Sequence, residues 1–263
     1  MSIPAIGDWQ GGQFGAHARC VLAPNPGPMT LDGTNTWVIR GEPDGPSLVV
    51  DPGPLEEAHL SAVAEIAGDV RGVLLTHGHL DHSGGAREFA DRAGCGVRAL
   101  DPALAYGEEG LHDGDVVEIG GLEVRVAATP GHSGDSLSFI VPVYRAVLTG
   151  DTVLGRGSTV VAHPDGVLGA YLGSLVRLRD LAERREIEVI WPGHGPVLDQ
   201  ALTVIEGYLV HRAERLEQVR RALAAGAREP ADVVRTVYAE VDPALWSAAE
   251  LSVRAQLDYL RKT

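Results

Sequence analysis

Residues 76–85 read Thr-His-Gly-His-Leu-Asp-His-Ser-Gly-Gly, which places His77, His79, Asp81 and His82 within one short stretch. A cluster this dense cannot enter an apolar core unless every ring nitrogen and carboxylate oxygen finds a partner. A divalent cation is one partner that all four can share, and neutral imidazole is the commonest metal-ligating side chain. Four more polar residues stand where strands are predicted to end. They are Asp51 in Val-Val-Asp-Pro-Gly, His132 in Thr-Pro-Gly-His-Ser, Asp151 in Leu-Thr-Gly-Asp-Thr and His194 in Trp-Pro-Gly-His-Gly-Pro. The last three each follow a glycine, which lets the backbone turn sharply and aim the next side chain across a sheet edge.

The elements that must carry these residues show in the hydrophobic pattern. Residues 36–40 and 47–51 read as paired strands around a Gly-Glu-Pro-Asp-Gly-Pro turn. Leu55, Ala58, Ala62 and Ile66 fall at helical spacing. A buried strand is predicted over 72–76, a helix over 85–93, and strands over 97–100, 115–119, 122–128, 137–143, 146–149 and 188–191. Leu168 to Arg184 is a further helix. Many strands with a few interleaved helices predict an α+β protein, two packed sheets with helices outside.

From Asp199 the texture changes. Leu202, Ile205, Leu209, Leu216, Val219 and Leu223 form a helical stripe, interrupted by Arg212, and Pro230 and Pro243 punctuate two shorter helices. The chain is therefore divided into a catalytic domain, 1–205, and a helical subdomain, 206–263. The apolar stripe suits packing or self-association, so a homo-oligomer is among the expectations.

Composition narrows the classes of function. At 44% hydrophobic and a mean hydropathy near zero, the 263 residues can bury a full core. No apolar run approaches the ~20 residues of a membrane span. The segment Met1–Asp8 has neither a basic nor an apolar leader region, so a cytoplasmic protein without membrane partners is expected. Cys20 and Cys95 form no framework and read as reduced thiols. The net charge of −14 resides wholly in residues 1–205. Such an acidic body opposes sequence-blind nucleic-acid binding, which depends on Lys and Arg meeting phosphate. Two bound divalent ions would reverse the field locally, so a short strand held mainly by metal stays open.

THGHLDHSGG at 76–85, with Gly-His at 131–132, Gly-Asp at 150–151 and Gly-His at 193–194, resembles the metal signature of the metallo-β-lactamase superfamily. The stretch from Asn25 to Trp37 and the helical tail resemble its β-lactamase-like protein 2 subgroup. The resemblance implies an αββα sandwich with metals along one edge and a small, reduced winged-helix-like C-terminal subdomain. It implies one metal on His77, His79 and His132, a second on Asp81, His82 and His194, and Asp151 bridging both. Five imidazoles and two carboxylates with no thiolate suit two zinc ions, with manganese or iron as alternatives. The implied activity is hydrolysis by a hydroxide shared between the ions, with Asp81 and Asp151 as the catalytic carboxylates. Asp51 would stand behind the ligands and fix an imidazole tautomer.

The resemblance suggests a single-strand RNA endonuclease. The alternative is an ester, thioester or lactone hydrolase similar to the glyoxalase II branch. A nucleic-acid-binding or scaffold module with an intact metal centre is the non-enzymatic alternative. Substrates are accordingly a small molecule or a short single-stranded RNA. Antibiotic hydrolysis ranks lower, because the dedicated lactamases of the superfamily generally lack the bridging aspartate. Thr34 and Asn35 are candidates to line the cleft, and His163 is a candidate proton donor. Arg156 reads as solvated, and His59 and His211 as surface or packing residues.

Overall fold

The computed structural model describes residues 7–263, so the leader reading over residues 1–6 lies outside the described residues. In chain order the strands are β1 (Gly11–Phe14), β2 (Ala18–Leu22), β3 (Asn35–Arg40), β4 (Ser47–Val50), β5 (Val70–Leu74), β6 (Val97–Arg98), β7 (Val116–Ile119), β8 (Leu122–Ala128), β9 (Leu137–Val141), β10 (Ala146–Gly150), β11 (Val189–Pro192) and β12 (Leu198–Asp199). The helices are α1 (Glu57–Ala67), α2 (Leu80–Ser83), α3 (Ala86–Ala93), α4 (Leu168–Glu183), α5 (Ala201–Ala224), α6 (Pro230–Val237) and α7 (Trp246–Lys262). The first sheet runs β1 to β6 in order, and the second runs β12-β11-β10-β9-β8-β7.

Alternation along each strand makes the layers. Trp37 and Ile39 of β3 point into the space between the sheets, where they meet Phe139, Leu148 and Trp191. The rings of Trp37 and Trp191 stack 4.8 Å apart at 8°. Val38, between them in sequence, joins Leu60, Val63 and Phe89 on the opposite face of the sheet. The second sheet does the same with Val147 and Ile190, which pack with Tyr171, Leu175 and Leu178 of α4. Truncating a core ring such as Phe139 to alanine would cost about 3–5 kcal/mol. The result is the helix–sheet–sheet–helix order expected.

Most neighbouring strands are antiparallel, but β4–β5, β5–β6 and β10–β11 are parallel. Parallel strands finish at the same edge, so the loops after each pair emerge side by side. Asp51 leaves β4 beside His77 after β5, and Asp151 leaves β10 beside His194 after β11.

Strands β1, β2 and β12 and the helix α2 were not anticipated. β1 is Gly-Gly-Gln-Phe with no alternation, β12 has two residues, and α2 is one turn inside the histidine motif. The tail is helical, and α5 spans the division drawn at 205/206. Its Ile205 and Tyr208 pack with the α4 layer, while Val219 and Ala222 join Val233, Val253 and Leu257 in a separate small core. Among the described residues no helix is long and apolar enough to cross a membrane. Both cysteines are free thiols, Cys20 buried and Cys95 partly so.

Candidate metal centre

Seven donors from four loops converge at one edge of the sandwich. His77 Nε2 lies 3.0 Å from His79 Nδ1, which lies 3.1 Å from His132 Nε2. On the other side His82 Nε2 is 3.2 Å from His194 Nε2, and His194 Nε2 is 3.1 Å from Asp81 Oδ2. Asp151 stands between the two groups. Its Oδ1 is 3.4 Å from both His82 and His194, and its Oδ2 is 3.6 Å from His132. Three sets of donor atoms each fall within 4.8 Å: His77, His79 and His132; His77, His82 and Asp151; and Asp81, His82 and His194.

Local sequence explains the approach. Gly193 permits it physically, because a Cβ there would sit 2.7 Å from Asp151 Oδ1 and 2.8 Å from a His82 ring carbon. Gly131 has φ of +131°, and its missing side chain leaves room for the backbone of Tyr171. The turn α2 places Asp81 and His82 on its second and third helical positions after His79. Ser83 Oγ donates to the carbonyls of Gly78 and His79, closing the loop that carries the motif.

The far nitrogen of four of the rings is held by the protein, and that fixes what faces the site. His132 Nδ1 donates to the Val160 carbonyl at 2.8 Å, and His194 Nδ1 to the Gly33 carbonyl at 3.1 Å. His82 Nδ1 donates to Asp51 Oδ2 at 2.9 Å. Asp51 also accepts from Thr76 Oγ1 at 2.6 Å and from the Thr76 amide at 2.8 Å. Thr76 Oγ1, its proton committed to Asp51, accepts from His77 Nδ1 at 3.0 Å. Asp51 therefore orients two rings, one directly and one through threonine. It does so from a left-handed backbone (φ +51°) that a short polar side chain tolerates. With Nδ1 engaged in these rings, the Nε2 atoms of His82 and His194 face each other and those of His77 and His132 face Nδ1 of His79.

Lone pairs 3.0–3.2 Å apart repel unless a proton or a cation lies between them, and the electrostatics shows the same demand. Burial pushes the His77 imidazole well below its usual pKa, and neighbouring imidazoles add to the effect. His132 is likewise lowered, chiefly by burial. Burial opposes charge on His194 too, but Asp151 and Asp81 outweigh it and hold its pKa up to about 9. His82 is raised against burial by Asp151 and Asp51. Asp81 and Asp151 stay well below the usual carboxylate range, because the facing imidazoles outweigh their desolvation. Asp151 Oδ1 is buried without a hydrogen-bond partner. Buried carboxylates, an orphaned oxygen and convergent lone pairs together fit divalent cations.

Other expectations need correction. Thr34 and Asn35 are fully buried and do not line a cleft. Asn35 donates to the carbonyls of Pro192 and Gly195 and accepts from Trp9, so it clamps the first sheet to the His194 loop. Thr34 pairs by backbone with His194 and by side chain with Asn25. His163 is exposed, and its amide donates to Leu251 of α7, so its contacts are with the tail and not with the seven donors. Arg156 is not solvated, since it pairs with buried Asp32 at 2.5 Å. His59 is a packing residue, as expected, bonded to Thr36 Oγ1. Sequence reading passed over Arg212 as a mere break in a stripe. Its buried guanidinium donates to the carbonyl of Thr159, whose hydroxyl lies 3.2 Å from His132 Nδ1.

Comparison with known proteins places this geometry. Residues 29–194 match the metallo-β-lactamase superfamily, and residues 230–263 match the β-lactamase-associated winged helix domain. Those last residues form α6, a 3-10 turn and α7. The chain is 32% identical over 255 residues to a β-lactamase-like protein 2 homolog of Caenorhabditis elegans, covering 92% of this chain and 83% of that one. It is 34% identical over 220 residues to an atrochrysone carboxyl ACP thioesterase of Aspergillus fumigatus, covering 80% of this chain and 65% of the other. A β-lactamase domain protein from Burkholderia ambifaria superposes with a TM-score of 0.78 at 25% identity, covering 99% and 90% of the two chains. The chain belongs to the metallo-β-lactamase superfamily of hydrolases, with a His/Asp cluster able to bind divalent metal.

Proposed function

We propose that this protein is a dinuclear, zinc-dependent hydrolase of acyl thioesters and related activated esters. The observation that carries the reading is Asp151, one carboxylate whose two oxygens face two separate imidazole groups. When bound, two divalent cations would lower the pKa of a water between them toward ~7 and polarise a substrate carbonyl. The chain's own residues supply orientation. Asp81 and Asp151 are ionised at neutral pH and act as hydrogen-bond acceptors and negative charge, not as acids. Asp51, Val160 and Gly33 keep the ligand imidazoles in the tautomer that leaves Nε2 free.

Two features favour a thioester over a phosphodiester. The expected proton donor, His163, is turned to the tail, and a thiolate leaves without one because thiols ionise near pH ~8.5. The open surface around Gly78 and His79 is bordered by Asp101, Asp135 and Asp165, which repel a polyanion approaching from that side. Two relatives named as ACP thioesterases act on the same bond type, and this chain is 34% and 32% identical to them.

The test is a side-by-side assay of zinc- and manganese-loaded protein on S-lactoylglutathione, a simple acyl thioester and a fluorescent single-stranded RNA. Metal-dependent thioester cleavage is expected. Cleavage of the RNA alone would overturn the choice of substrate, and inactivity of fully loaded protein on all three would overturn the reading.

A further inference from the structure

A second cavity, of about 230 Å³, lies between the C-terminal helices and the segment that seats His132. Met29, Val160, Leu245 and Ala249 give it apolar walls, while His211, Arg212 and Arg215 enter from α5. Arg212 is 6% exposed, and its Nε is buried with no acceptor. Arg215 donates to the Val237 carbonyl at 2.8 Å and lies 4.4 Å over the ring of Tyr238. Among the described residues neither guanidinium is ion-paired, and no carboxylate lines the cavity. A buried cation without counter-charge is unfavourable, and a guanidinium matches a planar oxyanion edge to edge. The volume is below the roughly 300–1,000 Å³ of a whole-ligand pocket, so it suits one end of a molecule.

We propose that this cavity binds the carboxylate end of a short aliphatic acid, its head at Arg212 and Arg215 and its chain against the apolar walls. Thr159 and Val160, which line the cavity, also contact His132 Nδ1, so the subsite adjoins the metal cluster through one segment of backbone. The proposal concerns binding and stands apart from the choice of scissile bond.

The chain has two methionines, Met1 and Met29, so methyl labelling gives a two-signal spectrum in which one signal reports the cavity. Hexanoate, acetate, hexanamide and inorganic phosphate would each be titrated into metal-loaded protein. Hexanoate is expected to shift the Met29 methyl saturably and to bind at least about tenfold more tightly than acetate, because of its buried chain. Hexanamide and phosphate are expected to bind at least about tenfold more weakly than hexanoate. Arg215→Gln is expected to weaken hexanoate at least about tenfold while the ligand-free Met29 signal stays in place, which shows the fold intact. An unmoved Met29, acetate, hexanamide or phosphate binding as tightly as hexanoate, or undiminished binding in the variant would each overturn the proposal. Inhibition by hexanoate without a Met29 shift would mean that it binds at the metal cluster, with the same consequence.

Discussion

The two halves of the centre use the same ring and prepare it in opposite ways. His77 and His132 are buried among other imidazoles, so they are held neutral with their lone pairs ready. His82 and His194 are just as buried, but Asp51, Asp81 and Asp151 surround them, and the pair retains positive charge. The first half can accept a cation at neutral pH without releasing a proton. The second must exchange a proton for its cation. What decides the protonation of an imidazole here is the number of carboxylates within about 3.5 Å, not burial, which is common to both.

Asp151 is the group that both halves share, so removing it tests their dependence most severely. Asp151→Ala is expected to lower bound metal from two ions to one or none, read by elemental analysis. Hydrolysis should fall by roughly 10³-fold or more. Retention of two ions and full rate would mean that the halves are independent. Asp51→Asn is a milder probe, because it keeps the shape and removes the charge behind His82 and Thr76. A loss of about 10–100-fold in metal affinity is expected, greater for the second ion, which meets His82 directly. Calorimetric titration of the metal-free variant resolves the two events, and equal losses in both would contradict the asymmetry.

The seven donors were legible in the sequence because chemistry of that density has few other uses. The glycines before His132, Asp151 and His194 were legible too, and Gly193 shows the reason at its contact with Asp151. The layers followed from alternation such as Trp37-Val38-Ile39. What failed was the reading of residues whose partners lie far away in the chain. Asn35 meets carbonyls about 160 positions distant, and His163 meets α7. Arg156 resembles any exposed arginine until Asp32 is found beside it. Arg212 carried a signal that was underused, a charge placed within an apolar helical stripe. Such a residue must either snorkel to water or find a partner inside.

The smallest expected effect is also the most direct test of the difference between the halves. His194 has a folded-state pKa of about 9, above the ordinary value near 6.5 expected of the unfolded chain. A raised pKa means that the folded state binds the proton more tightly. The resulting stability is fully present below about pH 6.5 and is lost as pH rises through about 9. His77 and His132 shift the other way, so their influence falls mostly below that window. Asp81 and Asp151, held low, contribute evenly across it. Metal-free protein should therefore melt several degrees lower at pH 8.5 than at pH 6.5. In zinc-loaded protein Nε2 of His194 carries no proton, so this slope should largely vanish and metal affinity should rise with pH over the same interval. Cys20, whose thiol is pushed up by burial, contributes equally to both forms and cancels in the difference. Identical slopes for the metal-free and loaded protein would show that the second half holds no exchangeable proton, and the contrast between the two halves would be lost.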